Sequence, residues 1–234
     1  MVSDSLPAKA LFDPIDGVGP IVEGRRWVLP LVALALFVSL SGAAAALKLD
    51  PTSTVVSALS ESGDLARTSE NEVQEKIQQA GRIRLVGGVA AGIVRPLAVL
   101  FLALVLMFWA WLFGLKAPFG KCFTAAAVSM LPIALYHLLF ALAAFRQVGL
   151  SEADLRTLVP SSLLSFRPDA APKLARLFGA VDFFSRWAAT LRGLGFAQTT
   201  GVRKTRGVAL GLALYVMYAA AFLIGLPGLA GGQS

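Results

Sequence analysis

The chain has 234 residues, 56% of them apolar and 15% charged, with a mean hydropathy of +0.71. A water-soluble domain carries about a quarter of charged residues, so this balance excludes an ordinary soluble globular protein. The formal charge of +7, from 21 Lys and Arg against 14 Asp and Glu, fits an anionic lipid surface better than a nucleic acid in so apolar a chain.

A bilayer core of about 30 Å takes about 20 apolar residues at helical rise, and five stretches reach that length. The expected fold is all-α: a cytoplasmic segment 1–26, a polytopic membrane bundle of five transmembrane helices over 27–226, and a C-terminal tail 227–234. The first span, 27–47, follows Arg25 and Arg26, with Trp27 placed as an interfacial anchor. Its alanine run imitates a signal-peptide cleavage site, but the apolar stretch is too long and Asp4, Asp13, Asp16 and Glu23 precede it. The second span, 96–115, starts with Pro96 in its first turn, where a missing N–H costs least, and carries Trp109 and Trp111 near its far end. The third, 123–145, contains Pro132 and His137. The fourth, 177–197, is the most polar, with Asp182, Arg186 and Arg192, and the fifth, 208–226, is uncharged and runs into Gly225 and Pro227.

Lys116 and Lys121 lie between spans two and three, and Arg203, Lys204 and Arg206 between four and five, with no acid in either turn. Basic residues close to span ends hold a loop in the cytoplasm, so the N-terminus is expected inside and the C-terminus outside. The outer segments, 48–95 and 146–176, are expected to form short interfacial helices rather than a domain. Ser69 with Glu72 three residues on is a capping box that leads into a helix over 72–84. The glycine-softened stretch 85–94 either extends the second span or lies in the interface. Ser151 is a second N-cap, before 152–158.

Ionisable groups at membrane depth need a partner or water. Asp182 and Arg186 stand four residues apart, which places both on one helix face where they can neutralise each other near the outer interface, or serve as a proton or headgroup site. Arg192 is expected to snorkel toward the cytoplasmic headgroups. His137, in mid-span, is either a proton relay or, on the more frequent pattern, a neutral hydrogen-bonded packing residue. Cys122 reads as a small boundary residue, with palmitoylation as its functional alternative. A single cysteine and a single histidine exclude a Cys/His metal cluster and an intrachain disulfide, and no catalytic or cofactor-binding residue can be named. Ser39, Gly42 and Ala43 to Ala46 in span one, and Gly207 and Gly211 in span five, suit close helix packing, within the bundle or against a partner helix.

Several of these stretches resemble the Yip1 family of small membrane proteins. Phe12-Asp13-Pro14 followed by Arg26-Trp27-Val28-Leu29-Pro30-Leu31 is similar to the family's Pro-containing cytoplasmic entry into the first span. Asp182-Phe183-Phe184-Ser185-Arg186-Trp187, with Gly195 eight residues after Trp187 and a basic turn over 201–206, resembles the family's D-x-F-x-x-W pattern. Arg186 and Arg192 depart from it, standing where family members commonly have uncharged residues. The resemblance implies five spans with a cytoplasmic N-terminus. It further implies association with small GTPases and vesicle coats for eukaryotic members, and an accessory role beside export ATPases for some bacterial ones.

The Ala-, Leu- and Arg-rich composition is of the bacterial kind. The expected function is therefore a non-enzymatic scaffold or accessory subunit of a transport complex in the bacterial inner membrane, without cofactor or nucleic acid. Its partners would be the lipid bilayer and another membrane protein, an ABC-type exporter or a second copy of the chain. The alternative is a carrier of a small molecule, ion or lipid that uses Asp182, Arg186 and His137, with Trp187 and Arg192 as further candidate interaction residues.

Overall fold

A computed structural model describes residues 6–167 and 169–221, and every regular element in them is helical apart from two isolated backbone bridges. Two short helices, α1 (Leu6–Phe12) and α2 (Pro14–Glu23), open the chain as a hairpin. A Cβ at Gly17 would stand 2.5 Å from the backbone of Ala10, so the hairpin closes only around glycine. Val18, Ile21 and Val22 of α2 are buried in the main core, so this N-terminal segment is folded onto the bundle.

The first long helix, α3 (Val28–Lys48), agrees with the expected span to within a residue. After α4 (Thr52–Glu61), the chain enters α5 (Glu70–Leu112), a single helix of 43 residues. The expected capping box is present: Glu72 N–H donates to Ser69 Oγ and Ser69 N–H to Glu72 Oε2, at 3.4 and 2.9 Å. Of the two alternatives for 85–94, extension of the second span is the one present, and the helix over 72–84 joins it, so Pro96 lies in the helix interior rather than in the first turn of a separate span. Two physical reasons account for this correction. Pro96 forfeits one hydrogen bond, to the Gly92 carbonyl, which costs less than a break would. Gly88 and Gly92 stay helical because their missing side chains are where α3 comes closest. A Cβ at Gly88 would stand 2.6 Å from the Gly42 carbonyl oxygen, and one at Gly92 would overlap Ser39 Oγ and the Ala35 carbonyl.

The third expected span is two helices, α6 (Phe119–Ser129) and α7 (Leu131–Arg146), joined at Met130. Pro132 offers no N–H to the preceding turn, and Met130 N–H closes the end of α6 on the Ala127 carbonyl at 3.1 Å. Every residue from Thr124 to Ser129 is buried, which makes α6 the centre of the bundle, packed between α5 and the later helix Phe183–Thr200. Ser151 caps α8 (Glu152–Thr157) as expected, and a 3-10 turn (Leu163–Phe166) leads to α9 (Pro172–Ala180).

The fourth expected span also moves. The chain leaves α9 at Ala180 and begins α10 (Phe183–Thr200) after Asp182, so 177–197 is not one helix. Gly201, left-handed at φ 76°, ends α10, and α11 (Lys204–Tyr218) follows. Gly225, Pro227 and the tail 227–234 lie outside the described residues. Among the described residues three stretches are long and apolar enough to cross a membrane: Val28–Lys48, Glu70–Leu112 and Phe119–Arg146.

A polar cavity between α3, α5 and α7

Serine and histidine meet across the α3–α7 contact. Ser41 Oγ lies 2.9 Å from the Val38 carbonyl of its own helix and shares a 2.7 Å hydrogen bond with His137 Nδ1. The bond engages Nδ1 and leaves Nε2 free to face a second group. His137 is thus tied to α3 by a hydrogen bond.

Beside this pair opens a cavity of about 520 Å³, lined by both residues, by the glycine crossing of Gly42 and Gly88, and by Arg95. Gly92 lies against Ala35 and Ser39, and Ser39 Oγ donates to the Val89 carbonyl at 2.9 Å. Arg95, one turn further along α5, therefore sits beside the middle of α3. Insertion scales put a cation at such depth at about 2.5–3.5 kcal/mol. Among the described residues Arg95 has no ion-pair partner, whereas Lys121 and Lys204 each do.

The residues singled out in the sequence fall in three places. His137 lies in the cavity. Asp182, Arg186 and Trp187 share the first turn of α10, where Asp182 Oδ2 accepts from Ser185 N–H at 2.7 Å as the N-cap. Arg186 is exposed and makes no ion pair with Asp182, so the expected i, i+4 neutralisation is replaced by a cap. The aspartate spends its charge on the backbone because α10 begins at Phe183, not six residues earlier. Trp187 packs on Phe183 with ring centroids 5.5 Å apart, and Tyr215 of α11 donates to the Ala180 carbonyl beside them. Arg192, in the third place, has its Nε buried without a hydrogen-bond partner. Cys122 is buried in the main core. Asp182 and His137 therefore do not share a cavity: Tyr136, not His137, is the α7 residue whose ring faces Phe184, at 5.6 Å.

Arg95 and Ser41 are the functional candidates missing from the sequence reading. Reading Pro96 as a helix start left Arg95 in a loop. The usable signal was a second G-x-x-x-G, Gly88 with Gly92, facing the Ser39 and Gly42 stripe of α3.

At the opposite end, α2 is fastened to the bundle by charge. Lys121 Nζ donates to Glu23 Oε2 at 2.6 Å, Gln198 Nε2 donates to Glu23 Oε1 at 3.2 Å, and Lys204 Nζ donates to the Ile15 carbonyl at 2.9 Å. The hydrogen bond from Lys121, seconded by Gln198, holds the Glu23 carboxyl below its ordinary pKa. Arg25, Arg26, Lys116, Arg203 and Arg206 border the same polar end. Among the described residues no three His, Cys, Asp or Glu side chains cluster as metal ligands would.

A family model described as the Yip1 domain matches residues 8–226. Neither a curated protein nor a solved structure matches the chain.

Proposed function

The chain belongs to the Yip1 family of membrane proteins, and from that premise we propose that it is a non-enzymatic scaffold or accessory subunit of a larger inner-membrane complex. The observation that carries the reading is the fastened N-terminal hairpin. A tail would present no fixed surface, but α2 is locked to α6, α10 and α11 through Glu23, Gln198, Lys121 and Lys204. The result is a rigid, basic platform at the end where positive residues predict cytoplasm.

Five crossings, with the N-terminus inside and the C-terminus outside, belong to the same reading. Its support is the course of α10, which starts near Tyr136 on α7 and ends with Gln198 beside Glu23, close to the start of α6. Reversing the platform's charge at Arg25, Arg26, Arg203 and Arg206 should strip a reproducible co-purifying subunit from the protein in mild detergent while leaving the bundle folded. A protein that purifies alone from its native membrane contradicts the scaffold reading.

A second reading, a carrier, draws support from the cavity at His137 and Arg95. In it Asp182 is a helix cap with no part in transport, so His137→Ala should impair transport while Asp182→Asn leaves it intact. Unchanged transport in both variants removes the carrier.

A further inference from the structure

The cavity between α3, α5 and α7 has the chemistry of a headgroup site. Its cation, Arg95, is exposed to the cavity and has no ion-pair partner among the described residues. A guanidinium presents a planar fork that matches a phosphate, and a cation at membrane depth is stable only beside an opposite charge or water. His137 is held by Ser41 through Nδ1, which leaves Nε2 to form a hydrogen bond with a hydroxyl. The volume of about 520 Å³ lies within the range of small-molecule sites, about 300–1,000 Å³. The rest of the wall is apolar, with Val38, Val94 and Leu97. Outside it, Ile93 and Phe101 of α5 are 73% and 70% exposed, an apolar track along which acyl chains can lie.

We propose that this cavity binds the headgroup of an anionic phospholipid, Arg95 taking the phosphate and His137 Nε2 hydrogen-bonding a headgroup hydroxyl. A lipid is favoured over a free anion because its chains match the exposed apolar face of α5, while a free anion would give up its hydration with nothing to offset the loss. The site rests on the cavity and not on the docking platform. It narrows the ligand of the carrier reading and equally suits a resident lipid in a scaffold.

The test uses the full chain, purified in mild detergent without partners and examined by native mass spectrometry. Phosphatidylglycerol, phosphatidylcholine and inorganic phosphate are the probes. Retention of phosphatidylglycerol should exceed that of phosphatidylcholine by about tenfold: both carry a phosphate, but the choline cation offsets its charge beside Arg95 and offers His137 no hydroxyl. Arg95→Gln should bring the two to the same level, Arg95→Lys should keep part of the preference, and Arg146→Gln at the end of α7 should keep all of it. Excess inorganic phosphate should not displace the lipid. Equal retention of both lipids by the unaltered protein overturns the proposal, even if the Arg95→Gln protein fails to fold. So does an Arg95→Gln protein that keeps the preference, and displacement by phosphate overturns the lipid in favour of a free anion.

Discussion

The α3–α5 and α10–α11 crossings are both built on glycine, and they border different chemistry. Along α10–α11, Gly207 meets the Gly193 carbonyl and Gly211 meets the Ala189 carbonyl, so backbone lies directly on backbone. Along α3–α5, Gly42 and Gly88 make the same approach, but Ser39, Ser41 and Arg95 stand beside them and the cavity opens there. In hydrocarbon no hydrophobic force draws helices together, so close packing of small residues supplies the adhesion in both places. What separates the crossings is the polar company of the glycines. A small-residue stripe thus marks where helices touch, and the neighbouring polar side chains decide whether the contact is also a site.

The largest effect should follow from breaking the sealed crossing. At Gly207 a Cβ would overlap the Gly193 carbonyl and lie 2.7 Å from the Ala197 Cβ, so Gly207→Val must part the helices. A loss of about 1–3 kcal/mol is expected, read as a lowered thermal midpoint in detergent. Lipid preference in the surviving folded fraction should not change. Gly88→Val should cost a similar amount and, unlike Gly207→Val, should also abolish that preference. Equal effects of the two variants on lipid preference would erase the distinction between the crossings.

Next in size is the cap. Asp182→Ala should destabilise the protein by about 1 kcal/mol through the loss of the bond to Ser185 N–H, while Asp182→Asn, which can still cap, should retain most of it. A thermal midpoint equally lowered by both variants would mean that the charge of Asp182, not its capping oxygen, matters. His137→Ala should cost about 0.6 kcal/mol, the average of hydrogen bonds between membrane helices. Ser41→Ala together with His137→Ala should add little more, since the two residues share one bond, and a double-mutant cycle checks this.

The smallest effect concerns the platform. The Glu23 carboxyl titrates below its ordinary value because of Lys121 and Gln198. Its contribution is therefore present above the unfolded carboxyl pKa of about 4.3 and lost as pH falls through the depressed folded value. Hydrogen exchange in residues 14–23 should be unchanged from pH 7 to pH 5 once corrected for intrinsic rates, and should rise in more acid solution. Glu23→Gln should show the faster exchange already at pH 7.

What could be read from the sequence was local or compositional. The capping box at Ser69 and the N-cap at Ser151 are local patterns, and both are present. The apolar run of α3 predicts a helix to within a residue, because nothing in it interrupts. The misplaced boundaries lie at glycine, proline and aspartate. Gly88, Gly92 and Pro96 look like helix breakers in isolation, yet packing against α3 holds all three inside α5. Asp182 looks like a buried charge in search of Arg186, yet the chain turns just before it and makes it a cap. Arg95 was hidden by the same error at Pro96. Its cavity is completed by Val38, Ser41 and His137, each more than forty residues away, and one sequence does not declare that pairing.

A lipid headgroup in the cavity requires residues near Arg95 to lie at hydrocarbon depth. With Cys122→Ser as background, a spin label at Val94→Cys should be placed in lipid vesicles beside labels at Phe101→Cys and Gln78→Cys. The expected result is collision with oxygen and protection from a water-soluble nickel chelate, as at position 101. Exposure to the chelate matching that of position 78 would put Arg95 in water and contradict the account.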